Sequence, residues 1–292
     1  MNRNTPILSA PLMGQHLAGL SDIVSNYDVF IIDLWGVIYN GKEVFQPALE
    51  TLKNLRNQGK IVYLTTNNPR ARPDGIKFLS KQGITPDLYS ELITAGQKTL
   101  ELFKMRIIEP EKKRPLKTFF IDHGELCGWA EEAQLIGVNE IEEADIILAT
   151  HMDESHLDVT PYMPLFCHAI ERNLTLVCAN PDKYIIQNEH KKARVGLLSE
   201  LYHKMGGRII EVGKPHPIMF EEVMMAHAGK PALLIGDSLV TDIHAAANLK
   251  IDSLFIMSGY HSHEIHIGVS LSSLYQHYGI APTYVCEQLY WG

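Results

Sequence analysis

The stretch Val29-Phe30-Ile31-Ile32-Asp33-Leu34-Trp35-Gly36-Val37 decides the fold. Its first four residues are apolar, β-branched or aromatic, with no polar alternation. Such a run fits a strand buried on both faces of a parallel sheet. It ends on Asp33. Open α/β sheets bind their ligands beyond the carboxyl ends of their strands. An acid there is costly to bury unless it is paired or metal-bound. Asp33 is therefore either a catalytic group or a metal ligand.

Outward from this strand the same pattern returns. Ile61-Val62-Tyr63-Leu64, Ala232-Leu233-Leu234-Ile235 and Ser253-Leu254-Phe255-Ile256 read as further strands. Helical stretches are expected over residues 47–58, where Leu49, Leu52 and Leu55 share one face, after Pro73, and over 242–248. In the middle, Thr118-Phe119-Phe120-Ile121, Ile146-Ile147-Leu148-Ala149 and Leu174-Thr175-Leu176-Val177 form a second set of strands with helices between them. The charged residues 109–114 read as an exposed loop. The expected architecture is α/β: a Rossmann-like parallel-sheet core with helices on both faces, made of residues 1–94 and 207–292. A second α/β unit, residues 95–206, is inserted into it.

Composition narrows the function. A chain of 292 residues suits one large or two modest domains. The net charge of −8 argues against a general nucleic-acid binder, as does the lack of aromatic residues interleaved with basic ones. It leaves room for a small anionic substrate held by a few local donors. Residues 1–20 lack a basic start followed by an apolar run, and no stretch reaches the length of a membrane span. The expectation is a cytoplasmic protein without a membrane partner. Cys127, Cys167, Cys178 and Cys286 form no C-x-x-C pair and read as buried free thiols. His261, His263 and His266 miss the H-E-x-x-H spacing by one residue and read as a solvated loop.

Four strand ends carry distinct polar groups. Asp33 is the first. Thr65-Thr66-Asn67-Asn68 follows the second strand, and its hydroxyl and amide donors suit a phosphate oxygen. Gly213-Lys214-Pro215 supplies a lysine able to neutralise developing charge on a phosphoryl group. Gly236-Asp237-Ser238 brings an acid, with Asp242 five residues on. Two acids beside Asp33 would repel unless a cation sat among them, and a hard divalent ion with oxygen ligands, Mg²⁺ foremost, resolves that. Each motif alone has an ordinary structural reading. A Thr-Asn turn caps helices, and acids flank exposed helix starts.

As an ordered set these motifs resemble the haloacid dehalogenase-like superfamily. Asp33 matches its nucleophile, Thr66 its second motif, Lys214 its third, and Asp237 with Asp242 its fourth. An insertion between the second and third motifs is similar to the class IIA, or C2-type, cap of the 4-nitrophenyl phosphatase, pyridoxal phosphatase and ribonucleotide phosphatase group. Asn180-Pro181-Asp182 in the insertion and Ser258-Gly259 after the last core strand also fit. The resemblance implies a phosphatase acting on a small phosphorylated metabolite through an aspartyl-phosphate. Asp33 would be the nucleophile. Mg²⁺ would be held by Asp33, the backbone carbonyl of Trp35 and Asp237, with Asp242 acting through water. Thr66, Asn67, Asn68 and Lys214 would hold the phosphoryl group, and Asp182 and Tyr184 would meet the substrate from the cap, with Lys183 and His190 as further candidates. A homo-oligomer is compatible with this reading.

One position departs from the family. Two residues after the nucleophile its phosphatases carry a second Asp, a general acid and base; here it is Trp35. Loss of such help costs ~10²- to 10⁴-fold. Leaving groups that need no proton, such as acyl or aryl phosphates, should suffer least. A phosphate-binding pseudoenzyme and a metal-independent carbon–halogen hydrolase are the alternatives. Retention of Asp33, Lys214 and the acid pair together speaks against the first, and of Asp237 and Asp242, a metal-binding pair the dehalogenases do not need, against the second.

Overall fold

The structure, a computed structural model, describes residues 14–122, 128–153, 157–187 and 190–292. Cys127 and residues 1–13 lie outside these. Seven parallel strands make the larger sheet, in the spatial order 15–16, 284–286, 252–256, 232–236, 29–33, 61–66 and 91–94. The chain steps from Val29–Asp33 to Ile61–Thr66 and Glu91–Thr94 on one side. It later returns to Ala232–Gly236 on the other. Asp33 thus ends the strand at which the order reverses, the crevice where such sheets bind ligands.

Alternation along the central strands explains why both faces are covered. Phe30 and Ile32 point into one apolar cluster with Leu52, Leu55 and Leu79 from the helices Gln46–Asn57 and Arg72–Lys81. Val29 and Ile31 point into another with Leu100, Phe103, Val223 and Ala246 from helices on the opposite face. Removing a fully buried leucine such as Leu52 would cost ~2–5 kcal/mol.

Five parallel strands form a smaller sheet, ordered 208–211, 175–178, 146–149, 116–121 and 135–138. An antiparallel hairpin, Tyr184–Gln187 with His190–Ala193, stands beside it. On one face, Ile147 and Leu176 meet Phe166, Leu198 and Tyr202 from the helices Met163–Glu171 and Gly196–Lys204. On the other, Leu116, Trp129 and Leu148 join the cluster that contains the helix Ala95–Lys104. That helix follows a strand of the larger sheet and is capped by Thr94, whose Oγ1 accepts from Gln97 N at 3.0 Å.

The expected return to the larger sheet at residue 207 is too early. Arg208–Glu211 pairs with Thr175–Cys178 in the smaller sheet. Ile209 and Ile210 alone between charged neighbours give too short an apolar run to reveal this strand. The histidine-rich segment also differs from a solvated loop. Ser262–His266 is a short helix and His261 is fully buried, although His263 and His266 are exposed. Cys178 and Cys286 are buried free thiols as expected, but Cys167 lies on an exposed helix face. Among the described residues no helix is long and apolar enough to cross a membrane.

Candidate active site

The three acids and the lysine meet at the carboxyl edge of the larger sheet. Asp33 is 5 % exposed, Lys214 3 %, Asp237 5 % and Asp242 0 %. Lys214 Nζ donates to Asp33 Oδ1 at 2.6 Å and to Asp242 Oδ1 at 2.7 Å. Asp237 Oδ2 accepts from the backbone N–H of Tyr260 at 2.8 Å. Carboxylate oxygens of Asp33, Asp237 and Asp242 all lie within 4.8 Å of one another.

Local backbone makes this crowding feasible. Gly36, at φ +80°, and Gly259 both press against Asp237; a Cβ on either would lie 1.8 or 2.0 Å from its Oδ2. A wide helical turn, Leu239–Ile243, follows Asp237 and is capped by Ser238, whose Oγ accepts from Thr241 N at 3.2 Å. That turn swings Asp242 back so that its Oδ2 accepts from Ser238 N at 3.2 Å. The expected helix over 242–248 therefore begins with this wide turn and is regular only over His244–Leu249.

Charge is unbalanced in this cluster. Burial raises the Asp33 pKa; Lys214 lowers it and Asp242 raises it again, leaving it at about 7. Burial, with Asp33 and Asp242 alongside, holds Asp237 well above the ordinary carboxylate range. Burial opposes the charge on Lys214, but Asp242 and Asp33 outweigh it and hold the ammonium protonated. One buried cation faces three buried carboxylates. A divalent cation with a preference for oxygen ligands fits this donor set and would relieve the repulsion.

Asn67 joins the lysine loop to the cap. Its Oδ1 accepts from Lys214 N at 2.7 Å, and its Nδ2 donates to Asp182 Oδ1 at 2.8 Å and Lys214 O at 3.2 Å. Both amide protons are committed, so the side chain braces the lysine loop, and Asn67 also lines the cavity beside Thr66. Asn68 is not brought into the site. Its Oδ1 accepts from Arg70 N at 3.0 Å, and it does not line the cavity. Thr66 does line it, with its Oγ1 accepting from Asn68 N at 3.2 Å.

The acids open onto a cavity of about 1160 Å³ between the larger sheet and the hairpin. Trp35, Asp182, Lys183, Tyr184 and Tyr260 are among its walls. Asp182, bonded to Asn67, is raised by burial against the opposing pull of Lys214 and Asn67. Lys191 Nζ stands 3.7 Å from the centre of the Tyr184 ring. Lys183 is paired with Glu200 at 3.0 Å, and His190 is exposed and outside the cavity wall.

His261 belongs to the site's support and was not legible as such. Its Nε2 accepts from Leu239 N at 3.1 Å, so the ring proton sits on Nδ1, which faces Glu264 Oε2 at 2.6 Å. Burial lowers its pKa against the pull of Glu264, in keeping with a neutral ring that holds the turn between Asp237 and Asp242. The spacing of His261 and Glu264, three apart, was the available signal.

A family model described as haloacid dehalogenase-like hydrolase matches residues 30–136, and a second, HAD-hydrolase-like, matches 211–291. A 4-nitrophenylphosphatase of Schizosaccharomyces pombe is 24% identical over 268 residues, 83% of this chain and 88% of its own. The structure of a haloacid dehalogenase-like hydrolase from Brucella suis superposes with TM-score 0.78 at 27% identity, covering 93% of this chain and 98% of that one. A glycerol phosphate phosphatase from Mycobacterium tuberculosis, solved in complex with calcium, shares the fold with TM-score 0.63 at 21% identity, covering 90% and 74%.

Proposed function

Since the chain belongs to the haloacid dehalogenase-like hydrolases and is a phosphoric monoester hydrolase, we propose that it cleaves small phosphorylated metabolites in a Mg²⁺-dependent reaction through a phosphoryl group carried on Asp33. The buried cluster of three carboxylates around Lys214, at the mouth of the large cavity, carries this reading.

In the first step an Asp33 carboxylate oxygen forms a bond to phosphorus while the bond from phosphorus to the leaving oxygen breaks. Lys214 offsets negative charge on the transferring group. In the second step water attacks phosphorus, inorganic phosphate leaves, and Asp33 is restored. Asp33, Asp237, the backbone carbonyl of Trp35 and, through water, Asp242 would hold Mg²⁺. When bound, the ion adds positive charge opposite the phosphoryl oxygens and among the acids. Thr66 lines the phosphoryl end.

No carboxyl group stands at position 35, so the leaving oxygen departs as an anion or takes its proton from water. Aryl and acyl phosphates are accordingly the favoured substrates. The segment from Leu116 to Glu211, with its five-stranded sheet, is the cap inserted into the core. From it Asp182 and Tyr184 meet the substrate. A cytoplasmic location belongs to the same proposal, since the free thiols of Cys167, Cys178 and Cys286 suit a reducing compartment.

The test is phosphate release from a panel of aryl, acyl and alkyl phosphates, with Mg²⁺ and with EDTA. Release that requires the metal and is fastest for aryl and acyl esters supports the reading. Metal-independent release, or chloride release from haloacids without metal, would overturn it.

A further inference from the structure

Trp35 stands where an acid was expected, and the structure gives its side chain a different set of partners. The indole leaves the nucleophile loop and reaches the cap hairpin along the cavity wall. Its Nε1–H donates to the backbone carbonyl of Ile186 at 3.1 Å, across 151 residues of sequence. Ile186 lies within the strand Tyr184–Gln187 of the cap hairpin, opposite Lys191 on the second strand.

The core side of the indole is held firmly. Tyr39 meets it edge to face, with ring centres 5.5 Å apart and planes at 88°, and Phe78 meets Tyr39 in turn at 5.9 Å. Gly41, at φ +92°, lies against the ring, and a Cβ there would fall 2.5 Å from Trp35 Cη2 and 3.1 Å from Gln187 Nε2. Asn40 fixes this turn, with its Oδ1 accepting from Lys42 N and Glu43 N, each at 3.0 Å. A rigid aromatic arm with a single polar tip is thus presented to a two-stranded hairpin, an element with little stability of its own.

We infer that Trp35 is a positioning residue that latches the hairpin of the cap over the nucleophile, through its indole N–H and the Ile186 carbonyl. The inference rests on the phosphatase reading for what lies beneath the hairpin, but the latch itself is a matter of contact. Among the described residues, two core loops reach the cap by side-chain hydrogen bonds. Asn67 reaches Asp182 and Trp35 reaches Ile186. The second fixes where the hairpin stands, and with it Tyr184 and the Lys191 ammonium over its ring. Those two side chains would then present an aromatic face and a positive charge to the leaving group. One residue thereby links the loop that bears Asp33 to the wall that selects the substrate.

Trp35→Phe keeps an aromatic ring and removes the N–H. One net hydrogen bond corresponds to about a fivefold change in an equilibrium. Amide hydrogen exchange in residues 184–187 and 190–193 should therefore quicken about fivefold, with the melting temperature nearly unchanged. The KM for 4-nitrophenyl phosphate should rise by about the same factor, and kcat should fall by less. Gly41→Ala is the second variant. Its Cβ displaces the ring but would also stand 3.1 Å from Gln187 Nε2 of the hairpin, so it is made in a Gln187→Ala background, where it should still quicken the same amides. Unchanged exchange in the hairpin in both variants, or quickening confined to residues 36–44, would overturn the latch. The exchange measurement needs no turnover, so its outcome stands apart from that of the phosphatase reading.

Discussion

Replacing Lys214 with methionine is the perturbation whose size the structure sets most directly. The ammonium is buried and bonded at 2.6 and 2.7 Å to two of three buried carboxylates. Methionine fills a similar volume and leaves those acids without their cation. Removing one partner of a buried ion pair costs ~3–5 kcal/mol. For a chain of this size each kcal/mol corresponds to ~2–4 °C in melting temperature, so metal-free Lys214→Met should melt about 6–20 °C below wild type near pH 8. The pH dependence has a definite sign. Asp33 has a folded pKa of about 7, above its unfolded value, because burial outweighs the lysine. A group raised in this way favours the folded state most at low pH, and that contribution is lost as pH rises through about 7. Without the lysine the carboxylates prefer their protons more strongly still. The deficit should therefore be smallest near about pH 5.5 and should grow toward about pH 8. Thermal unfolding followed by circular dichroism in EDTA at the two pH values checks both the size and the trend. A deficit below about 2 °C at both pH values, or one that grows toward acid, would refute the assignment of Lys214 as the cation that holds these acids together.

Other outcomes follow from the same geometry. Trp35→Asp restores an acid beside the nucleophile loop, so kcat on alkyl phosphates should rise at least ~10-fold even as the lost latch raises KM; no gain in a folded variant would mean that another group already supplies the proton. Gly36→Ala places a Cβ 1.8 Å from Asp237 Oδ2 at a φ of +80°. It should cost ~1–2 kcal/mol in backbone strain and abolish the rise in melting temperature on adding Mg²⁺. A preserved Mg²⁺ response would remove Asp237 from the metal ligands.

Much of the fold was legible because its central strands are buried on both faces. Val29–Ile32, Ile61–Leu64 and Ala232–Ile235 have no polar alternation to confuse the reading, and all three are adjacent in the larger sheet. The strands that escaped are short or lie at edges. Glu91–Thr94 and Tyr284–Cys286 offer two or three apolar residues each, too short a run to stand out from the segments around them. The site divides in the same way. Asp33 and Asp237 stand at the ends of adjacent strands of the larger sheet, so their meeting was legible; Lys214, on the loop after Arg208–Glu211, and Asp242, on the turn Leu239–Ile243, were legible only through their place in the ordered motif set. Asn67 and His261 were not legible in their actual parts. Those parts depend on a backbone atom of Lys214 and a backbone atom of Leu239, which sequence does not mark. The direction of the Trp35 indole was likewise hidden, because Ile186 accepts through its carbonyl and any residue there would do the same.

The central claim is that the phosphoryl group passes through Asp33. The direct measurement is a rapid acid quench of the enzyme during turnover of 4-nitrophenyl phosphate with Mg²⁺, followed by mass analysis of the peptide that contains Asp33. A phosphoryl group on Asp33 in the wild type, together with no label and no turnover in Asp33→Asn, is the expected result. Wild-type turnover in Asp33→Asn, or steady turnover with the label on another residue, would contradict it.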